Sequence, residues 1–273
     1  MSTSPITFIG GGNMARSLIA GLVRQGVAPA SLHVAEPVTA LREALTAEFG
    51  IKAYASATEA AAQGTVWVLA VKPQVLRDVC ASLTDIARSK QPLVVSIAAG
   101  ITSGQLDRWL GGGQAVVRAM PNTPALLGAG VTGLFATAAV SAAQRAQANT
   151  VLASAGRTVW IDDEARMDAV TAVSGSGPAY VFLLAEAMEA AGIAQGLPAD
   201  AARTLVVQTL LGASRMLDES GEAPAELRRR VTSPNGTTQA AIERFQADGF
   251  EARVARAIDA ATTRGQALSA AND

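Results

Sequence analysis

One stretch in the last third of the chain has residue types suited to holding a small anion. Val231-Thr232-Ser233-Pro234-Asn235-Gly236-Thr237-Thr238 places Pro, Asn and Gly in a row, which is turn chemistry, because Pro fixes φ and Gly admits positive φ. Beyond it, Gln239 to Phe245 spaces Ile242 and Phe245 along one face of a helix. A turn that feeds a helix N-terminus presents unpaired backbone N–H groups and the positive end of the helix dipole. Hydroxyls at Ser233, Thr237 and Thr238 stand beside them. Taken alone, the same residues are better explained as plain helix capping. The rest of the chain reverses that preference.

A second chemistry-bearing stretch lies near residue 10. Ile6-Thr7-Phe8-Ile9 reads as a short apolar strand, and Gly10-Gly11-Gly12-Asn13-Met14-Ala15 follows it. Leu18, Ile19, Leu22 and Val23 then come at helical spacing, with Gly26 as a stop. In this strand–turn–helix context G-x-G-x-x-A is the dinucleotide-binding fingerprint. Gly10 permits the tight turn, Gly12 lets the backbone approach a pyrophosphate, and Ala15 keeps helix and strand close. A glycine turn in a nucleotide-free α/β fold is the alternative. Glu36 ends the next strand, Leu32-His33-Val34-Ala35. There a carboxylate accepts from both hydroxyls of an adenosine ribose and repels a 2′-phosphate, which leans toward NADH. An exposed strand-end carboxylate explains it equally well.

The elements that must position these residues can be read from the pattern around them. A helix is expected from about Val38 to Phe49 and a brief strand near Ile51–Tyr54. Thr65 to Val71 is a continuous apolar run, as expected of a parallel strand covered on both faces. It ends at Ala70-Val71-Lys72-Pro73, on the carboxyl edge where open α/β sheets bind ligands. Leu93 to Ile97 is another such strand. It ends in Ala98-Ala99-Gly100, small enough for a flat nicotinamide ring to lie against backbone. Ala115–Met120, followed by Pro121-Asn122-Thr123-Pro124, then Val131–Phe135 and Thr158–Ile161 complete the strands. Alternating strands and helices predict an α/β, doubly wound, mainly parallel sheet of the Rossmann kind over residues 1–162. After Asp162-Asp163-Glu164 only Ala/Leu-rich helical stretches remain, near 164–173, 177–192, 198–218, 223–231 and 238–271. They predict an all-α domain over 163–273. Ser174-Gly175-Ser176-Gly177-Pro178 reads as a break at which two helices cross closely. Thr204, Val207, Gln208, Leu211 and Ser214 mark a helix face with little charge, suited to burial in a partner subunit.

Composition removes several classes of function. Net charge is −1, which leaves no electrostatic footprint for nucleic acid, and Arg228-Arg229-Arg230 reads as a solvated helix face. One cysteine, Cys80, and one histidine, His33, permit no disulfide, no thiolate zinc site and no catalytic triad. No apolar run has membrane-spanning length and no signal-peptide pattern opens the chain, so a soluble cytoplasmic protein without a metal is expected.

With these residues in view, the sequence resembles the pyrroline-5-carboxylate reductases along essentially its whole length. Phe8–Ala15, Ala70–Pro73, Asp168–Tyr180 and the stretch from Pro224 to Gln246 carry the likeness, and the last two are specific to that family. The resemblance implies reduction of 1-pyrroline-5-carboxylate to L-proline with NADPH or NADH. It implies cofactor contacts from Ile9, Gly10, Gly11, Gly12, Asn13, Met14, Ala70, Val71, Lys72, Pro73, Ala98, Ala99 and Asn122, to which the fingerprint and strand-end reading adds Ala15 and Glu36. It places the substrate among Glu164, Val231, Ser233, Gly236, Thr237 and Thr238, with the Thr238 hydroxyl near the ring nitrogen as the catalytic group. It also implies a homodimer through the helical domain, assembled in many relatives into a decamer. Where family members often carry Ser, Asn or Arg in place of Glu36, and Asn near Ala57, this chain lacks groups that would hold a 2′-phosphate. The chemistry suits a chain without metal or nucleophile, because a protonated cyclic imine accepts hydride directly. A reductase of another imine and a non-catalytic nucleotide sensor remain as alternatives. A hydroxyacid dehydrogenase would want a lysine in the helical domain, whereas Lys52, Lys72 and Lys90 all precede it.

Overall fold

The structure is a computed structural model that describes residues 4–272. Its centre is an eight-stranded sheet in the order β3-β2-β1-β4-β5-β6-β7-β8. The strands are β1 (Ile6–Ile9), β2 (Leu32–Ala35), β3 (Lys52–Tyr54), β4 (Val66–Leu69), β5 (Leu93–Ser96), β6 (Ala115–Met120), β7 (Gly130–Ala136) and β8 (Gly156–Trp160). Every neighbouring pair is parallel except β6 with β7, so the mainly parallel sheet expected from the sequence is present. The order reverses direction between β1 and β4, which makes the carboxyl ends of those strands the crevice of a doubly wound fold.

Alternation along each strand builds two cores. Phe8, Val34, Val68 and Val95 face one side, against α1 (Asn13–Arg24), α2 (Thr39–Phe49) and α6 (Ala142–Ala153). Ile9, Ala35, Trp67, Leu69 and Val94 face the other, against α3 (Ala57–Ala61), α4 (Pro73–Lys90) and α5 (Ser103–Trp109). Being covered on both faces is why the central strands read as unbroken apolar runs. Strand β4 stops at Leu69, two residues before the apolar run does, because Ala70 and Val71 already belong to the crevice loop.

After β8 the chain is helical: a 3-10 turn (Glu164–Arg166), α7 (Met167–Val170), a π turn (Thr171–Gly175), α8 (Gly177–Ala194), α9 (Ala199–Glu219), α10 (Pro224–Arg230), α11 (Thr237–Ala247) and α12 (Phe250–Ala270). Two expectations are corrected here. The stretch Ser174–Pro178 is no crossing of two helices. The helix widens into a π turn, and a Cβ on Gly175 would stand 2.6 Å from the Met120 side chain of β6, so the glycine admits a strand residue. The single helix expected over 238–271 is two, divided at Asp248-Gly249, where Gly249 takes φ +73 and ends α11.

The chain divides into two compact units, residues 1–176 with 260–273 and residues 177–259. The first of these includes the turns that follow β8 and the C-terminal half of α12, so compactness draws its line later than the end of the sheet.

Candidate active site

The glycine turn sits where β1 enters the crevice. Gly10 has φ +106, and a Cβ there would lie 2.7 Å from the Ala70 carbonyl oxygen, so only glycine lets the turn pass the end of β4. The Ala70 N–H in turn donates to the Ile9 carbonyl at 2.8 Å, which ties the loop Ala70–Pro73 to the turn. Gly12 is the N-cap of α1 and brings no side-chain cap, while a Cβ at that position would meet nothing within 4 Å. Open space therefore lies over uncapped N–H groups of Asn13, Met14 and Ala15, an arrangement that fits a pyrophosphate. Glu36 is fixed beside it, its Oε2 accepting from Gly11 N–H at 3.2 Å and its Oε1 from Val38 N–H at 3.0 Å.

Further along the same crevice, Ala98 and Ala99 lead into Gly100, which has φ +70. The last turn of α12 backs this loop. The Asn272 amide donates to the Gly100 carbonyl at 3.3 Å, the Gln105 amide to the Ser269 carbonyl at 2.9 Å, and Leu268 fills the space beside Gly100. Three residues past Gly100, Ser103 opens α5 and is held by Glu164, whose carboxylate accepts from Ser103 N–H at 2.7 Å and from Ser103 Oγ at 2.5 Å. Arg118, in the middle of β6 and 4% exposed, lies 3.5 Å from Glu164 and donates to Asp168 at 3.0 Å. Glu164 is thus engaged by α5 and β6. Asn122 is engaged at both ends of its amide, donating to the Ser174 carbonyl at 3.2 Å and accepting from Val131 N–H at 2.9 Å.

In the second unit, the turn expected before α11 is present. Asn235 has φ +58, Gly236 N–H donates to the Ser233 carbonyl at 3.0 Å, and Gly236 caps α11 with no side-chain partner. The Gln239 carboxamide oxygen accepts from Asn235 N–H at 2.7 Å, so the turn is braced from within its own helix. That leaves the first N–H groups of α11 uncapped by side chains, beside Ser233, Thr237 and Thr238. A cavity of about 350 Å³ adjoins the turn, lined by Arg228, Thr232, Pro234, Gln239 and Ile242 among others. The arginine run is a solvated face: Arg229 pairs with Glu226, and Arg230 with Glu222.

The remaining titratable candidates lie elsewhere. Burial holds the His33 imidazole below its ordinary pKa, helped by the Lys52 charge, and its Nδ1 meets the Tyr54 hydroxyl at 3.3 Å. Cys80 is fully buried, which pushes its thiol up to about 12 and makes it inert as a nucleophile. Among the described residues no His, Cys, Asp and Glu group could hold a metal. Reading the sequence missed the network of Arg118, Asp168 and Ser103. Its one signal was an arginine inside Ala115–Met120, since a charge in a covered strand needs a buried partner.

A doubly wound sheet with an open glycine turn at its switch point is the framework of a dinucleotide-dependent oxidoreductase. The family described as NADP oxidoreductase, coenzyme F420-dependent, matches residues 5–100, and the one described as pyrroline-5-carboxylate reductase dimerisation matches residues 164–268. The pyrroline-5-carboxylate reductase of Pseudomonas aeruginosa is 54% identical over 98% of this chain and 98% of its own length. That of Escherichia coli is 38% identical over 97% and 98%. A solved reductase from Coxiella burnetii is 39% identical and superposes with a TM-score of 0.95 over 98% of this chain and 99% of its own. One from Plasmodium falciparum, determined with NADP bound, is 28% identical with a TM-score of 0.85 over the same shares. The chain belongs to the pyrroline-5-carboxylate reductase family.

Proposed function

We propose that this chain reduces 1-pyrroline-5-carboxylate to L-proline with NADPH or NADH. The observation that carries the reading is that, in a chain of this family, two helix N-termini that follow turns of anion-binding type carry no side-chain cap. One, at α1, follows the glycine turn; the other, at α11, is flanked by hydroxyls. Ile9 to Ala15 hold the pyrophosphate, Glu36 the adenosine ribose, and Ala70 to Pro73 with Ala98, Ala99 and Asn122 the nicotinamide side. Val231, Ser233, Gly236, Thr237 and Thr238 receive the substrate, its carboxylate on the N–H groups and dipole of α11. Glu164 joins them, its carboxylate holding Ser103 at the start of α5 while each oxygen keeps a lone pair for the substrate. The labour divides between residues 1–162 for the dinucleotide and 163–273 for substrate and self-association.

A bound nicotinamide supplies the hydride. The protein positions and polarises the imine: turn N–H groups orient the carboxylate, and the Thr238 hydroxyl hydrogen-bonds the ring nitrogen and relays its proton from water. A threonine hydroxyl is too weak an acid to act without such a relay or an imine already protonated. The assembly is a homodimer, gathered into a decamer as the larger form. A net charge of −1 supports a small-molecule substrate and no nucleic acid. The chain works in the cytoplasm, and no described helix is long and apolar enough to cross a membrane.

Thr238→Ala should lower kcat by about 10²–10⁴-fold, the usual worth of a positioned proton donor, and leave NADPH and NADH binding unchanged. Steady-state oxidation with 1-pyrroline-5-carboxylate, beside fluorescence titration of the reduced cofactors, separates the two effects. Unchanged turnover would remove Thr238 from the mechanism. Cofactor binding without any turnover by the parent chain would favour the nucleotide sensor instead.

A further inference from the structure

We infer that Glu36 makes NADH the preferred coenzyme, a specificity that rests on the reductase reading. The pocket for the far end of the adenosine ribose is formed where β2 and β3 end level with each other, Ala35 beside Tyr54. Glu36 stands at that point with 8% of its surface exposed, and its carboxylate is held from two sides, by Gly11 N–H and by Val38 N–H. It cannot swing away without leaving both donors inside the turn without this partner. Each carboxylate oxygen accepts one backbone N–H and keeps a lone pair for a ribose hydroxyl, so a free 2′,3′-diol completes the arrangement.

A 2′-phosphate would meet a negative charge that is fixed. Arg42, in the first turn of α2, is turned to the main chain. Its Nη1 donates to the Glu36 and Pro37 carbonyls, each at 2.8 Å, and its Nη2 to Thr39 Oγ1 at 3.1 Å. Across the edge, Ser56 Oγ accepts from Glu59 N–H as the cap of α3, and Ala57 offers no polar group. Arg42 is therefore committed to the main chain, and Thr39 and Ser56, which accept in these bonds and keep a hydroxyl proton each, bring no positive charge to offset Glu36.

The experiment uses the full chain and two readouts. Fluorescence titration without substrate should give a Kd for NADH at least about tenfold below that for NADPH, the shift expected from one unfavourable charge pair at short range. Initial rates with 1-pyrroline-5-carboxylate should show kcat/KM favouring NADH by a similar factor. Glu36→Gln keeps the shape and removes the charge, so the binding ratio should contract toward one, chiefly through tighter NADPH. Equal or tighter NADPH binding by the parent chain overturns the inference, as does a ratio that Glu36→Gln leaves unmoved. If Arg42→Ala abolishes tight NADPH binding, Arg42 is the phosphate holder and the inference again fails. Failure of the reductase reading looks different: NADH binds preferentially and no turnover follows.

Discussion

At the scale of single residues, Gly10 and Gly12 look alike in the sequence and differ in physical duty. Gly10 is demanded by the fold, through φ +106 and the Ala70 carbonyl 2.7 Å from its missing Cβ. Gly12 has ordinary extended backbone and empty space around it, so its lack of a side chain matters to whatever enters that space. Gly10→Ala should therefore cost about 2 kcal/mol or more in folding stability. Gly12→Ala should cost about 1 kcal/mol or less, a small capping loss, yet weaken NADH and NADPH binding at least about tenfold. Urea unfolding and cofactor titration of both variants test the contrast, and equal unfolding losses would refute it. Glycines, Glu36 and the Ser233–Thr238 turn were legible because their chemistry is local. The partners of Arg118, Glu164 and Asn122 were not, since each lies far along the chain and only the folded sheet brings them together.

Among elements, the pattern read best where burial is two-sided. The central strands were visible as apolar runs because the sheet covers both their faces, whereas the edge strands β3 and β8 are half open, with Lys52 and Val159 exposed. Helix ends were less legible: Gly249 divides α11 from α12 inside one polar and Ala-rich stretch, and the π turn before α8 has no periodicity of its own. That turn sits over β6, where Arg118 bridges Asp168 of α7 and Glu164 ahead of it. Arg118→Met would leave two carboxylates against a covered strand. The loss should be about 3–5 kcal/mol, the penalty for orphaning a buried charge. Arg118 also steadies, through Glu164 and Ser103, the loop that carries Ala98 and Ala99. The variant should then raise KM for the reduced cofactor as well as lower the urea midpoint. A variant as stable as the parent would show that Asp168 and Glu164 are held by other means.

For the whole molecule, the sharpest fact is what a single chain leaves uncovered. Helix α8 packs against α9, but has no buried residue of its own, and Phe182 and Leu183 are 63% and 65% exposed. A helix whose only charges are Glu186 and Glu189 belongs largely in an interior. Val207 and Leu211, on the α9 face expected to meet a partner, are likewise open, while Ala202 and Val206 are buried. The family match over this region is to a dimerisation domain, which supports self-association, and these open faces are the ones expected to meet a second copy of the chain. Each large apolar side chain removed from water contributes about 1.5–3 kcal/mol, and several such residues on α8 act together. Phe182→Glu places a carboxylate where a partner must desolvate it. Its dimer dissociation constant should rise about thirtyfold or more, the effect of losing a central contact worth about 2 kcal/mol. Sedimentation velocity over a dilution series should show the parent chain associated at concentrations where the variant is monomeric. Thermal unfolding of the variant should come at lower temperature and depend more strongly on concentration, because folding and association are linked. A variant that sediments like the parent at every dilution would place the interface elsewhere than α8.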